Sequence, residues 1–238
     1  GEYFIEKIAG VPVEMEYASE FRYRDAPVGK NDLVVAISQS GETADTLAAV
    51  EYAKSHGATV LGITNVPYSA LAREADSCVF LYSGKEVGVA ATKTFTAQAL
   101  VLYLLACKIS QVRGSDISTK LVFENLSSEI EKIIGNDKEY QKIAKTLNEA
   151  HFALYIGRLL GVPVVYEGAL KLKELSYIPV QAYPAGEMKH GPLALVDSRT
   201  VVLCAECGDE KSKLESNVQE VKARGALTIG IVRESDKE

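Results

Sequence analysis

The chain lacks a surplus of positive charge. Its 238 residues carry 26 Lys and Arg against 32 Asp and Glu, a net charge of −6. A nucleic-acid surface would show a basic stripe, so that class of partner is disfavoured, while a local site for a small phosphorylated ligand is not. Long apolar runs are missing as well. The strongest, residues 97–107, reads as too short to span a bilayer, and Gly1-Glu2-Tyr3 lacks the basic segment that opens a signal peptide. Four cysteines in a chain of this length do not make a disulfide framework. Cys204-Ala205-Glu206-Cys207 is a CxxC, but no second CxxC or nearby histidine completes a metal set. It reads as an inward strand residue plus a loop residue, with a redox or metal role as the alternative, and a reducing cytoplasm fits best. No Gly-x-Gly-x-x-Gly follows a strand, so the nicotinamide fingerprint is absent. Histidine is scarce, with three in all.

What is present is ordinary in bulk: 47% hydrophobic and 24% charged residues, as in soluble globular proteins, and length for one large or two small α/β domains. The informative stretch is residues 33–65. An apolar, β-branched run at 33–37 is too short for a helix. Ser38-Gln39-Ser40-Gly41-Glu42-Thr43 follows. A helical pattern with Ala44, Leu47, Val50 and Ala53 on one side leads to a strand at 59–64. This is a βαβ unit. Its loop puts three hydroxyls and a glycine at a helix N-terminus, where unpaired N–H groups and the helix dipole favour an anion. The expected role is a phosphate cradle.

Along the rest of the chain, residues 2–10 read as a helix ended by Gly10, 11–17 as a strand, 18–24 as a short helix or loop, 69–75 as a short helix and 78–82 as a strand. A second loop rich in glycine and hydroxyls, residues 83–93, runs into a helix at 94–112. Residues 114–149 read as a helical connector broken at Gly135-Asn136. A second unit follows: strand 152–156, helix 162–177, an irregular Gly- and Pro-rich loop at 184–192, strand 200–205, helix 211–223 and strand 227–232. The expected organisation is a first subdomain over residues 1–113, a connector over 114–150 and a second subdomain over 151–238.

The two units share an internal repeat, set against the alternative that any two βαβ units look alike. Val34-Val35 and Val201-Val202 open equivalent strands, Leu47 corresponds to Leu214, and 60–64 corresponds to 228–232. The second copy's loop, residues 205–210, has acids where the first has hydroxyls, so only the first is expected to bind phosphate. Copy two begins with a strand that copy one lacks, and copy one continues beyond the point where copy two stops. The expectation is a chain truncated within both copies.

Glu167, Lys171 and Glu174 fall at i, i+4 and i+7 on one helix face. By spacing alone this is either a solvated face with a Glu–Lys pair or an acid–base set able to shuttle a proton between neighbouring sugar carbons. His190, between Lys189 and Gly191-Pro192, is a candidate for opening a sugar ring by proton transfer, since histidine titrates near neutrality. His56 and His151 read as structural.

The runs SQSGETADT, KEVGVAATK, EGALKLKELSYI and GEMKHGPLAL, with ASEFRYR at 18–24, together resemble the isomerase region of the glucosamine-6-phosphate synthase family (glutamine–fructose-6-phosphate aminotransferase, isomerizing). Four separated motifs in the same order carry the resemblance over most of the chain. It implies two tandem SIS subdomains, flavodoxin-like with a parallel sheet in a three-layer αβα arrangement, each truncated. It implies that Ser38, Gln39, Ser40 and Thr43 bind the sugar phosphate, that Val89 contacts the sugar through its backbone, and that Glu86 lies in the same loop. It implies Glu174 as the base moving a proton between C1 and C2, Lys171 as its support, and His190 as the ring-opening group, which in the family reaches the neighbouring subunit's site and so implies a homodimer. The implied ligands are fructose 6-phosphate and glucosamine 6-phosphate, with a glutaminase domain in the full-length protein, no nucleic-acid or membrane partner, and no metal or nicotinamide cofactor.

The sequence departs from the family's pattern in places. Ala91 stands where the family often has serine, and the family's Cys-Gly-Thr-Ser loop, Schiff-base lysine tail and glutaminase domain are absent from these 238 residues. The chain by itself is therefore expected not to synthesise product. Two further readings stay open: a fructosamine-phosphate deglycase with the same tandem fold, and a sensing module that needs the Ser38–Thr43 loop but not Glu174 or His190.

Overall fold

The chain begins with α1 (Glu2–Ala9), which Gly10 closes in the left-handed conformation at φ 61°. The strand expected over 11–17 does not form. Pro12 removes one ladder donor, and the N–H of Val13 bonds the Glu6 carboxylate at 3.2 Å instead of a neighbouring strand. The polar–aromatic segment makes a single turn, α2 (Ala18–Phe21). The expected βαβ unit then appears as β1 (Leu33–Ile37), α3 (Ala44–Ser55) and β2 (Thr59–Thr64), followed by α4 (Ala70–Glu74), β3 (Ser77–Phe80) and α5 (Lys93–Val112). The computed structural model describes residues 1–115, 120–208 and 210–232, and the chain divides into two compact units, Gly1–Thr119 and Lys120–Glu238.

In the first unit the strand order is β1-β2-β3, all parallel, with Leu33 opposite Thr59 and Leu61 opposite Ser77. A core of Ala36, Val50, Ala53, Val60 and Leu71 joins β1 and β2 to α3 and α4. The buried positions of α3 are Thr46, Ala49, Val50 and Ala53, an i, i+3, i+4, i+7 stripe, whereas Ala44, expected inward, is exposed.

The helix α5 is longer than the apolar stretch 97–107 suggested. Its 20 residues are long and apolar enough to cross a membrane by length and composition alone. Within the unit it packs on α1, burying Ala106 and Cys107, and Ser110 donates to the Ile8 carbonyl at 2.9 Å.

The second unit contains α6 (Lys120–Ile134), α7 (Asp137–Asn148), β4 (Phe152–Gly157), α8 (Gly161–Ser176), β5 (Val180–Pro184), β6 (Thr200–Ala205), α9 (Lys211–Lys222) and β7 (Leu227–Ile231). The break at Gly135-Asn136 separates α6 from α7, while residues 116–119 of the expected helical stretch lie outside the described residues. The strand β5 is an addition to the sequence reading. The parallel order is β5-β4-β6-β7.

This sheet is covered on both faces. Leu154, Ile156, Val202 and Cys204 meet Leu214 and Val221 of α9 on one side. Ala153, Tyr155, Val201, Leu203 and Ala205 meet Val165 and Ala169 of α8 and Leu147 of α7 on the other. Two-sided burial is why β6 reads as an apolar run from Val201 onward, every one of its six residues being buried. Each such aliphatic side chain contributes about 1.5–3 kcal/mol relative to exposure. Cys204 sits in this core, its thiol pushed up by burial to about 12, and none of the four cysteines is in a disulfide.

The repeat is visible as β1–α3–β2 against β6–α9–β7, each joined by a 12-residue helix. Its register is one residue from the sequence match. Gly62 and Gly230 face Ala36 and Cys204, which puts Leu33 rather than Val34 at the place of Val201.

Candidate functional site

The loop after β1 is built from its own hydroxyls. Ser38 is buried; its Oγ accepts from the Gly41 N–H at 3.0 Å and lies 2.9 Å from Thr43 Oγ1. Ser40 Oγ accepts from the Glu42 N–H at 3.2 Å. Thr43 occupies the N-cap of α3 without capping it through its side chain. Among the described residues, no acceptor engages the N–H groups of Ser40, Thr43 or Ala44. The result is a turn held from inside, at the start of a 12-residue helix, with donors left over for an anion.

A ring of neighbours fixes this turn. Gly41 has φ 68°, and a Cβ there would stand 2.2 Å from Ser69 Oγ and 2.9 Å from Thr64 Oγ1, so only glycine fits. The Gly41 carbonyl accepts from the Leu71 N–H at 2.9 Å, and Glu42 Oε1 accepts from the Ala70 N–H at 2.9 Å. Glu42 thereby ties the loop to the first turn of α4, 28 residues on. Arg22, from ASEFRYR, bonds Asp45 in the first turn of α3 at 2.8 Å.

The second loop of this unit carries Glu86 and Val89. Val89 is 97% exposed beside the buried Ala90. The Glu86 carboxylate accepts from the Thr94 hydroxyl at 2.7 Å, from the Thr94 N–H at 3.3 Å and from the Thr92 hydroxyl at 3.3 Å. These bonds, the Thr94 hydroxyl first, hold its pKa below the usual glutamate range. Glu86 therefore fastens the loop to the start of α5, and any ligand contact would draw on its remaining lone pairs.

In the second unit, α8 brings three expected residues together. Lys171 Nζ lies 3.2 Å from Glu167 Oε1 and 2.9 Å from Glu174 Oε2, one cation between two carboxylates. Desolvation works against the ammonium, but the hydrogen bonds it donates to Glu174 and Glu167 outweigh it and raise the lysine above its usual range.

His190 stands apart from this cluster in hydrogen bonding. It ends a 3₁₀ segment, Ala185–His190, which is anchored by the fully buried Ala185 and Met188 and by an ion pair from Lys189 to Glu220 at 2.9 Å. Gly191, at φ 131°, and Pro192 follow. The imidazole is exposed and makes no hydrogen bond among the described residues.

The counterpart of the hydroxyl loop in this unit lines a crevice with Arg158, Glu206, Cys207, Gly208 and Glu210. Glu206 and Glu210 lie in this loop, one residue from where the sequence match aligned them, and Asp209 lies outside the described residues. The comparison of loops missed Arg158, which comes from the end of β4. Its guanidinium donates to Asn217 Oδ1 at 3.0 and 3.3 Å. No three His, Cys, Asp or Glu side chains converge as a metal set among the described residues.

The supports that the sequence reading did not single out are Glu42, Ser69 and Asn65. Glu42 offered a signal, an acid closing a Gly-containing loop. The role of Asn65 depends on where two distant loops come to lie.

Comparison with known proteins places these features in a family. Residues 1–108 and 147–238 match the SIS domain. Glutamine–fructose-6-phosphate aminotransferases [isomerizing] from Chlorobaculum tepidum, Aquifex aeolicus and Escherichia coli are 48%, 47% and 46% identical, over 100%, 100% and 94% of this chain. The chain spans only 40%, 40% and 38% of their lengths. Among solved structures, the C-terminal domain of glucosamine-fructose-6-phosphate aminotransferase from Francisella tularensis superposes with a TM-score of 0.90 at 40% identity, over 99% of this chain and 69% of that one. A Thermotoga maritima glucosamine-6-phosphate deaminase superposes at 0.80 with 26% identity, over 98% and 71%. With a parallel-sheet α/β fold, a hydroxyl loop at a helix start and a match covering most of its length, the chain belongs to the SIS domain family.

Proposed function

We propose that this chain is the isomerase part of an enzyme that makes glucosamine 6-phosphate and glutamate from fructose 6-phosphate and glutamine. The observation that carries the reading is the 46–48% identity, over all or nearly all of this chain, to proteins named glutamine–fructose-6-phosphate aminotransferase [isomerizing]. The geometry agrees with the chemistry required.

The Ser38–Thr43 loop and the start of α3 take the phosphate, with Ser40, Gln39 and Thr43 offering donors and Ser38 holding the turn. Val89 meets the sugar through its backbone, in the loop that Glu86 secures. Glu174 removes a proton at one of the two adjacent carbons C1 and C2 and returns it at the other. Lys171, 2.9 Å from Glu174, steadies negative charge that develops on the sugar. His190, held by its backbone with an unoccupied imidazole, moves the proton that opens the ring. The working form is a homodimer in which His190 serves the neighbouring copy, and the amine comes from a glutaminase domain of the same full-length protein. The four thiols outside any disulfide fit a reducing cytoplasm.

The test is to incubate the complete protein with fructose 6-phosphate and glutamine and to assay for glucosamine 6-phosphate. Product formation is expected. Binding of the sugar phosphate without turnover would replace this reading with that of a sensing module.

A further inference from the structure

Asn65 follows β2 and precedes Val66-Pro67, and its backbone and its side chain reach two different stretches of backbone. Its N–H donates to the Gln39 carbonyl at 3.0 Å. Its side-chain Nδ2 donates to the Gly84 carbonyl at 2.7 Å, and its Oδ1 accepts from the Ser83 N–H at 2.9 Å. The last backbone bond beside β2 in this direction is Leu81 N–H to the Thr64 carbonyl, at 3.0 Å. Beyond it the Asn65 side chain takes over, donating to the Gly84 carbonyl and accepting from the Ser83 N–H.

A simple turn-forming asparagine would bond its own backbone two residues on. Here the side chain reaches 18 and 19 residues ahead, and the nearby Val66 N–H is taken by Thr64 Oγ1 at 3.2 Å. Gln39 belongs to the hydroxyl loop, and Ser83-Gly84 opens the loop bearing Glu86 and Val89. One residue therefore fastens both loops of the first unit, through its backbone on one side and its side chain on the other.

We infer that Asn65 is a positioning residue that sets the Val89 loop at a fixed distance from the anion-binding loop, and so governs recognition of the sugar rather than of the phosphate. The inference rests on the proposal above that the two loops share one sugar-phosphate ligand. Losing the side chain leaves the backbone bond to Gln39 in place. The hydroxyl loop keeps its shape while the second loop loses a donor and an acceptor.

The experiment compares the wild-type complete protein with Asn65→Ala and Asn65→Asp, using inorganic phosphate and glucosamine 6-phosphate as separate probes. Asn65→Ala should bind glucosamine 6-phosphate about tenfold more weakly, as loss of one or two hydrogen bonds implies, with phosphate affinity unchanged. Asn65→Asp keeps the acceptor for Ser83 and should fall between the two. In turnover, KM for fructose 6-phosphate should rise more than kcat falls. Equal loss for both probes, or no loss for either, would overturn the inference. A wild-type protein that binds phosphate but not glucosamine 6-phosphate would overturn the functional reading and this inference with it, and that result differs from a loss confined to the variants.

Discussion

The ammonium of Lys171 stands 2.9 Å from the carboxylate of Glu174, one turn further along α8, and the same ammonium reaches Glu167 at 3.2 Å. Spacing alone left this set open between a solvated face and an acid–base group. The three side chains are only 21–33% exposed, which distinguishes them from a freely solvated ion pair.

Lys171→Met would leave two carboxylates facing each other without their cation. Turnover by the complete protein should fall by about 10²–10³, the scale of a lost electrostatic stabiliser. Stability should fall by about 1 kcal/mol. Because the folded lysine titrates above its usual 10.5, the stabilisation is fully present below that value and is lost as pH rises through the raised folded pKa. Urea midpoints of wild type and variant should therefore differ steadily at neutral pH and converge only above about pH 10.5.

Gly41→Ala tests the cradle's shape. The added Cβ would meet Ser69 Oγ at 2.2 Å in a left-handed backbone. A loss of about 1–3 kcal/mol is expected in denaturant unfolding. Phosphate binding should fall with it, since the loop must move away from Ser69 and Thr64.

Glu86 gives a pH signature. Its depressed pKa means that its bonds to Thr94 and Thr92 stabilise the loop above the usual carboxylate value of 4.5 and are lost as pH falls through the lower folded value. Hydrogen exchange at the Thr94 amide should accelerate across that acid window in the wild type. In Glu86→Gln it should be faster at neutral pH and lack the acid step.

The parts of the fold that could be read early are those whose pattern is local. Leu33–Ile37 announces a parallel strand by its β-branched run, and Thr200–Ala205 does so by the same means. The strand Val180–Pro184 escaped because Pro179 and Pro184 bracket a mixed segment that makes sense only beside β4. Residues 11–17 erred the other way, with alternation suggesting a strand that nothing pairs.

The candidate site divides along the same line. The hydroxyl loop and the Glu–Lys–Glu face are written in contiguous or helically spaced residues. The Glu42 bond to Ala70 and the Asn65 bonds to Ser83 and Gly84 span 28, 18 and 19 residues, and no spacing rule connects them. Arg158 was hidden for the same reason, arriving in the second unit's crevice from a different strand than the acids that share it.

The central claim is that Glu174 moves the sugar's proton while the Ser38–Thr43 loop only holds the phosphate. Glu174→Gln in the complete protein separates these roles, since it removes a base without changing shape. Glucosamine 6-phosphate synthesis should fall by about 10²–10⁴, with glucosamine 6-phosphate still bound at wild-type affinity. Unchanged synthesis in that variant would contradict the account.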